Sequence, residues 1–344
     1  MPDASRLATI ATALTRAWLR RGPLACALWP VSLVFGALGA VRRLLFRSGL
    51  LASARLPVPV VIVGNIFIGG TGKTPFTIWL AEALRAAGFT PGIISRGHGG
   101  AGSAPRLVAG DALAAEVGDE PLLIARRSGC RVMVGRDRPA AARALLEQFP
   151  HVDVIISDDG LQHYALQRDV EIMLFDGRGA GNGWLLPAGP LREPVSRRRD
   201  FTVVNAPQAH AGNLRGALFY MHLAGTHAEQ LIDRSKRVAL PALRAQRIVA
   251  AAGIGNPGRF FAMLRGAGLE FAELPLPDHH DFLDDPFRTL DADIILITEK
   301  DAVKCGQIEN LKRDPRLWVV PVTAQLDAAL AEQIVEKCRG CSTA

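Results

Sequence analysis

The run Val58-Pro59-Val60-Val61-Ile62-Val63-Gly64-Asn65-Ile66-Phe67-Ile68-Gly69-Gly70-Thr71-Gly72-Lys73-Thr74-Pro75 decides the fold. An apolar strand ends in a glycine-rich turn, then Lys-Thr, then a helix. Phe76 to Ala87 carries apolar residues at helical spacing, and Gly88 stands where a C-terminal cap falls. Glycines let backbone N–H groups approach oxyanions closely, Lys73 adds a point charge, and the helix presents its positive end. The Thr74 hydroxyl suits a Mg²⁺ ion. Gly69, Gly70, Thr71, Gly72, Lys73 and Thr74 are therefore the predicted phosphate cradle, and a nucleoside triphosphate is the predicted ligand. The strict pattern G-x-x-x-x-G-K-[ST] places glycine where this chain has Phe67.

Outward from this loop, strands and helices alternate. Strands are predicted at 91–95, 131–134, 152–156, 171–175 and 201–204, with helices after 119 and over 139–149. That alternation predicts an α/β fold, a P-loop NTPase-like parallel sheet with helices on both faces. Residues 206–245 read as a linker. A second alternation begins at Arg247, includes a helix over 258–265, and predicts a smaller C-terminal α/β lobe. The expected division is a basic, apolar N-terminal segment over 1–56, a kinase-like core over 57–225 and the second lobe over 226–344.

The formal charge of +7 does not describe a nucleic-acid surface. Residues 1–56 hold eight arginines and one acid, Asp3, and the 32 basic and 32 acidic residues that follow cancel. The same segment contains an uncharged stretch from Leu24 to Val41 between Arg20-Arg21 and Arg42-Arg43. Eighteen helical residues reach roughly 27 Å, near the thickness of a bilayer core. Pro30, Gly36 and Gly39 interrupt it, and arginines flank both ends. Leu7, Ile10, Leu14 and Trp18 recur on one helical face upstream. The reading is an element lying in an anionic membrane surface rather than a true span. Five cysteines make no disulfide framework, and the lone Cys338-Arg339-Gly340-Cys341 supplies two ligands where structural zinc needs four.

Val152-Asp153-Val154-Ile155-Ile156-Ser157 ends in Asp158 and Asp159. A phosphate-bound Mg²⁺ needs a carboxylate at a strand end beside the cradle, so both are candidate metal residues.

Four blocks together resemble the tetraacyldisaccharide 4'-kinase family of the lipid A pathway. They are Gly64-Asn65 through Thr74, Asp158-Asp159-Gly160-Leu161-Gln162-His163, Gly181-Asn182-Gly183-Trp184-Leu185-Leu186-Pro187-Ala188-Gly189-Pro190-Leu191-Arg192-Glu193-Pro194, and Thr298-Glu299-Lys300-Asp301-Ala302-Val303-Lys304. The likeness covers nearly the whole chain in the family's order, and that family shares the Phe67 departure. It implies ATP and Mg²⁺ as cofactors and the 4'-hydroxyl of a lipid A disaccharide 1-phosphate as acceptor, at the cytoplasmic face of the inner membrane. It implies that Asp119, in Gly118-Asp119-Glu120-Pro121, works with His279 to activate that hydroxyl. On residue type alone, Asp119 reads as a helix cap, and His279 and His280 read as loop histidines. The resemblance further places Arg192 on the phosphoryl group and Glu193 near the metal. Arg96, His98, Gln162 and His163 are candidate contacts to the acceptor, and Thr298–Asp301 a contact to the nucleotide base. The expected partners are the lipid substrate and the membrane surface, with no nucleic acid, for a monomer. The alternatives are a membrane-associated P-loop ATPase or GTPase switch acting on a protein, and a non-catalytic nucleotide-sensing scaffold.

Overall fold

The structure is a computed structural model that describes residues 17–97, 104–207, 214 and 216–341. Within it the N-terminal helix α1 spans Pro23–Arg47. The strand β1 (Val60–Gly64), helix α2 (Lys73–Ala86), β2 (Pro91–Ser95) and β3 (Arg106–Leu107) follow. Next come α3 (Asp119–Ser128), β4 (Arg131–Val134), α4 (Arg138–Gln148), β5 (Val154–Asp158), β6 (Val170–Asp176), β7 (Phe201–Asn205) and β8 (Leu218–Tyr220). The later elements are β9 (His227–Gln230), β10 (Arg237–Ala239), β11 (Ile248–Ala252), α5 (Pro257–Gly266) and β12 (Ala272–Pro275). The chain closes with β13 (Ile294–Thr298), α6 (Glu299–Cys305), β14 (Leu317–Val320) and α7 (Ala328–Arg339).

These elements form two compact units. One is built from the described residues of Met1–Lys73, Asp153–His222 and Leu326–Ala344. Its strands run β5-β1-β6-β7-β8, every neighbouring pair parallel. The five residues of β1, Val60 to Gly64, are all buried, as the continuous apolar run of a parallel central strand requires. The other unit comprises Thr74–Val152 and Leu223–Gln325. In it β2 pairs parallel and β3 antiparallel with β4. A six-stranded sheet runs β10-β9-β14-β13-β11-β12, parallel except where β9 meets β10 and β14. Phe260, Phe261 and Leu264 of α5 pack on one face of that sheet, and Phe282 and Phe287 on the other.

Residues 206–245, read as a linker, hold β8, β9 and β10. Their strands are three or four residues long, and the burial pattern of Leu218–Tyr220 has no inward–outward alternation, so the sequence carried no period to read. The Pro30 interruption also yields to packing, because α1 runs unbroken for 25 residues through it. By length and composition α1 could cross a membrane, yet only a ninth of its apolar window is buried in the protein. Ala25, Trp29, Ser32 and Gly36 recur at three- and four-residue steps and form its docked face. Ser32 Oγ donates to the Leu185 carbonyl at 2.7 Å and accepts from the Ala188 N–H at 3.0 Å. Trp29 packs on Trp184, and a side chain at Gly36 would run into Leu185. Val31, Val34, Leu38 and Val41 share a different face and are more than half exposed.

Ser32 is the one buried polar side chain on α1, and removing its hydroxyl leaves the buried Ala188 N–H without its acceptor, while the Leu185 carbonyl keeps the Gly189 N–H. Ser32→Ala is expected to cost about 1–3 kcal/mol of stability in denaturant unfolding and to speed proteolysis within 23–47.

Candidate functional site

The glycine loop is held from beneath by one side chain. Asn65, fully buried, donates from Nδ2 to the carbonyls of Phe67 (2.8 Å) and Gly69 (3.0 Å), and its Oδ1 accepts from Lys73 Nζ at 3.3 Å. At Gly72 the backbone has φ +94°, and a Cβ would lie 2.2 Å from Asn205 Nδ2, which donates to the Thr71 carbonyl at 3.0 Å. No other residue fits there. The Thr71 hydroxyl is buried in this cradle and has no hydrogen-bond partner among the described residues. A buried orphan donor beside a glycine loop is what a phosphate oxygen would satisfy.

Lys73 Nζ also lies 3.6 Å from Asp159, whose other oxygen lies 3.7 Å from Arg192. Both separations exceed a hydrogen bond, so the two cations flank Asp159 as ionic neighbours. Asp159 sits at φ +49°, an uncommon conformation for a residue with a Cβ, just after buried Asp158 at the end of β5. Carboxylates from Asp158, Asp159 and Glu193 with the Thr74 hydroxyl are hard oxygen donors of the kind Mg²⁺ takes. Glu193 is buried, and its oxygens accept from Gln162 (3.2 Å), Tyr164 (2.5 Å) and Arg197 (2.8 Å). Burial and the Glu193 hydrogen bond push the Tyr164 hydroxyl up to about 12, so it remains a donor. His163 offers its carbonyl to Arg168, and Arg96 is exposed just after β2. His98 lies outside the described residues.

Arg178 is a residue that motif reading missed. Its guanidinium stacks 4.2 Å over the Phe67 ring and is clamped by Asp176 through Nε and Nη2. Its two terminal nitrogens come within 3.7 and 3.8 Å of where a Gly69 side chain would begin. The ring at the strict-glycine position thus carries a fixed cation against the loop.

In the other unit Asp119 is the first residue of α3, after Gly118 at the cap. One oxygen accepts from the Glu120 N–H, and the other meets His279 Nδ1 at 3.1 Å, Lys304 Nζ at 3.2 Å and Lys300 Nζ at 4.0 Å. Burial alone would raise this carboxyl, but the His279 hydrogen bond and the two lysines outweigh it and hold the group far below the usual range. The hydrogen bond to Asp119 raises the His279 imidazole, against burial and Lys300, which lower it. His279 has φ +62°, with its N–H bonded to the Gly253 carbonyl at 3.2 Å. Asp301 fixes that carbonyl's residue by accepting from the Gly253 N–H, and Lys304 donates to the His280 carbonyl at 2.9 Å. Within the Thr298–Lys304 block, Lys300, Asp301 and Lys304 thus form a frame around Asp119 and His279.

Two outcomes follow from these positions. His279 should titrate above pH 6.5 by NMR in the native protein. In Asp119→Asn the largest raising contact is gone while burial, Lys300 and Asp278 remain, so the titration should move down from the wild-type position. Arg178→Ala is expected to raise the KM for ATP on the order of tenfold in steady-state kinetics, the worth of one charge-assisted hydrogen bond, with Arg178→Lys restoring little of it because the stacked, clamped geometry needs a planar fork.

Residues 24–339 match the family model described as tetraacyldisaccharide-1-P 4'-kinase. The chain is 65% identical over 337 residues to the tetraacyldisaccharide 4'-kinase of Janthinobacterium sp. (strain Marseille), covering 96% of this chain and 97% of that one. It is 61% identical to the tetraacyldisaccharide 4'-kinase of Herminiimonas arsenicoxydans across the full length of both. Among solved structures, LpxK from Aquifex aeolicus in complex with ATP superposes with a TM-score of 0.77 at 29% identity, covering 91% of this chain and 99% of that one. With nearly its whole length matched in sequence and in fold, the chain belongs to the tetraacyldisaccharide-1-P 4'-kinase family.

Proposed function

We propose that the chain transfers the γ-phosphate of ATP to the 4'-hydroxyl of a tetraacyldisaccharide 1-phosphate. It acts as a monomer at the cytoplasmic face of the bacterial inner membrane. The observation that carries the reading is the Asp119–His279 pair, a carboxylate–imidazole arrangement fitted to a weakly nucleophilic hydroxyl. With Nδ1–H donated to Asp119, the His279 Nε2 lone pair accepts the hydroxyl proton. The acceptor oxygen bonds to the γ-phosphorus, and the bond to the bridging oxygen breaks, leaving ADP. Lys73, Arg192 and the N–H groups of 69–74 hold phosphate oxygens. Thr74, Asp158, Asp159 and Glu193 would hold Mg²⁺, which when bound neutralises charge building on the phosphates. Arg96, His98, Gln162 and His163 are assigned to the acceptor sugar or its phosphate. The functional segments are 1–56 as membrane element, 57–225 as core and 226–344 as second lobe. The exposed apolar face of α1 and the arginines at its ends support the membrane placement.

The test supplies γ-labelled ATP, Mg²⁺ and detergent-dispersed lipid A disaccharide 1-phosphate. Label should appear in the lipid, and hydrolysis of ATP without lipid labelling would count against the reading. Lys73→Ala and Asp119→Ala are each expected to lower kcat on the order of 10²–10³-fold or more; near-normal turnover in Asp119→Ala would remove it from the reaction.

A further inference from the structure

We propose that a basic cavity at the C-terminal end of α1 binds the phosphate headgroup of an anionic bilayer phospholipid, an inference that rests on the membrane-surface reading above. The cavity measures about 260 Å³ and is lined by Arg43, Phe46, Arg47, Tyr164, Gln167 and Arg168, with no acidic residue in its wall. The Arg168 guanidinium is fully committed, donating to the carbonyls of Leu161, His163 and Leu166 and to the Glu171 carboxylate. It forms a fixed positive wall. The Tyr164 hydroxyl is likewise committed to Glu193.

The open donors are Arg43 and Arg47. Among the described residues Arg43 has one ionic neighbour, Glu193 at 3.8 Å, too far for a hydrogen bond, and Glu193 is already served by three other donors. Arg47 is exposed and makes no ion pair or hydrogen bond from its side chain among the described residues. Four residues apart on one helix, the two guanidiniums share a face and repel each other. An anion between them turns that repulsion into two charge-assisted contacts.

The fold also supplies a reason for a lipid-borne phosphate. Leu38, Val41 and Leu44 are exposed immediately before these arginines. With those apolar side chains at the acyl boundary of a helix lying in the surface, the long Arg43 and Arg47 side chains carry their guanidiniums to the lipid phosphates.

Binding of the full-length protein to phosphatidylcholine vesicles with and without phosphatidylglycerol tests this, using two variants. Arg47→Ala removes the free cation. Gln167→Trp keeps every charge and fills the mouth from an exposed position. Wild type should prefer the phosphatidylglycerol vesicles, and each variant should lose about fivefold in affinity for them, near the worth of one basic residue at such a surface. Both should keep wild-type turnover and acceptor KM in detergent micelles free of phospholipid, and inorganic phosphate should not compete with vesicles. Wild-type binding by Gln167→Trp would reduce the arginines to diffuse surface charge and sink the pocket. Competition by inorganic phosphate, or a raised acceptor KM in Arg47→Ala, would assign the site to free phosphate or to the acceptor's own phosphate and overturn the proposal. If wild type itself showed no preference, the membrane-surface reading would fall with it, an outcome distinct from failure of the pocket alone.

Discussion

Two backbone hydrogen bonds organise the phosphate-binding unit: the Ile68 N–H to the Pro190 carbonyl at 3.1 Å and the Arg192 N–H to the Ile66 carbonyl at 2.7 Å. They pair the start of the glycine loop with the end of the 181–194 block, opposite strands meeting at Phe67 and Leu191. One consequence lies at the loop, where Arg192 and Glu193 arrive with fixed backbone. The other lies upstream, where the same block offers the Leu185 carbonyl and the Ala188 N–H to Ser32 of α1. Asn182 braces its interior by donating to the Ala188 carbonyl, and a Cβ at Gly189 would collide with the Trp184 carbonyl oxygen at 2.2 Å. The phosphate cradle and the apolar helix therefore share one rigid connector.

Phe67 gains its explanation from this pairing. Glycine at that position would give up a buried ring that packs under Arg178 and lies against Gly181. The loop keeps its required freedom one turn later, at Gly69 and Gly72, both at positive φ. The departure from the strict pattern marks a loop whose first half is a sheet-like bridge and whose second half does the binding.

Legibility in the sequence followed the range of the interactions. Strand, loop and helix around Lys73 were readable because each depends on neighbours in the chain: an apolar run, glycines, and helical spacing over Phe76, Leu80 and Leu84. The continuity of α1 through Pro30 was not, since its docked face is recognised only beside Trp184 and Leu185. Arg178 left no signal because its value depends on Phe67, more than a hundred positions away. Thr298–Lys304 was legible as a block and opaque as to purpose, since Lys300 and Lys304 acquire meaning only beside Asp119.

The electrostatics of that cluster divide the labour within the proposed acid–base pair. Asp119 is almost wholly buried, and its ionised form is stabilised by an imidazole and two ammonium groups. A carboxylate held that low is a weak proton acceptor, because proton transfer is driven by the basicity of the acceptor. The imidazole is shifted the opposite way by the same hydrogen bond. Its basicity rises while Asp119 fixes the tautomer and the ring orientation. The positive φ at His279 is held by the Gly253 carbonyl, and Gly253 is held in turn by Asp301. On the proposed reaction the proton thus rests on His279 as the phosphoryl group moves. Asp119 keeps its charge throughout and acts by holding and polarising the ring.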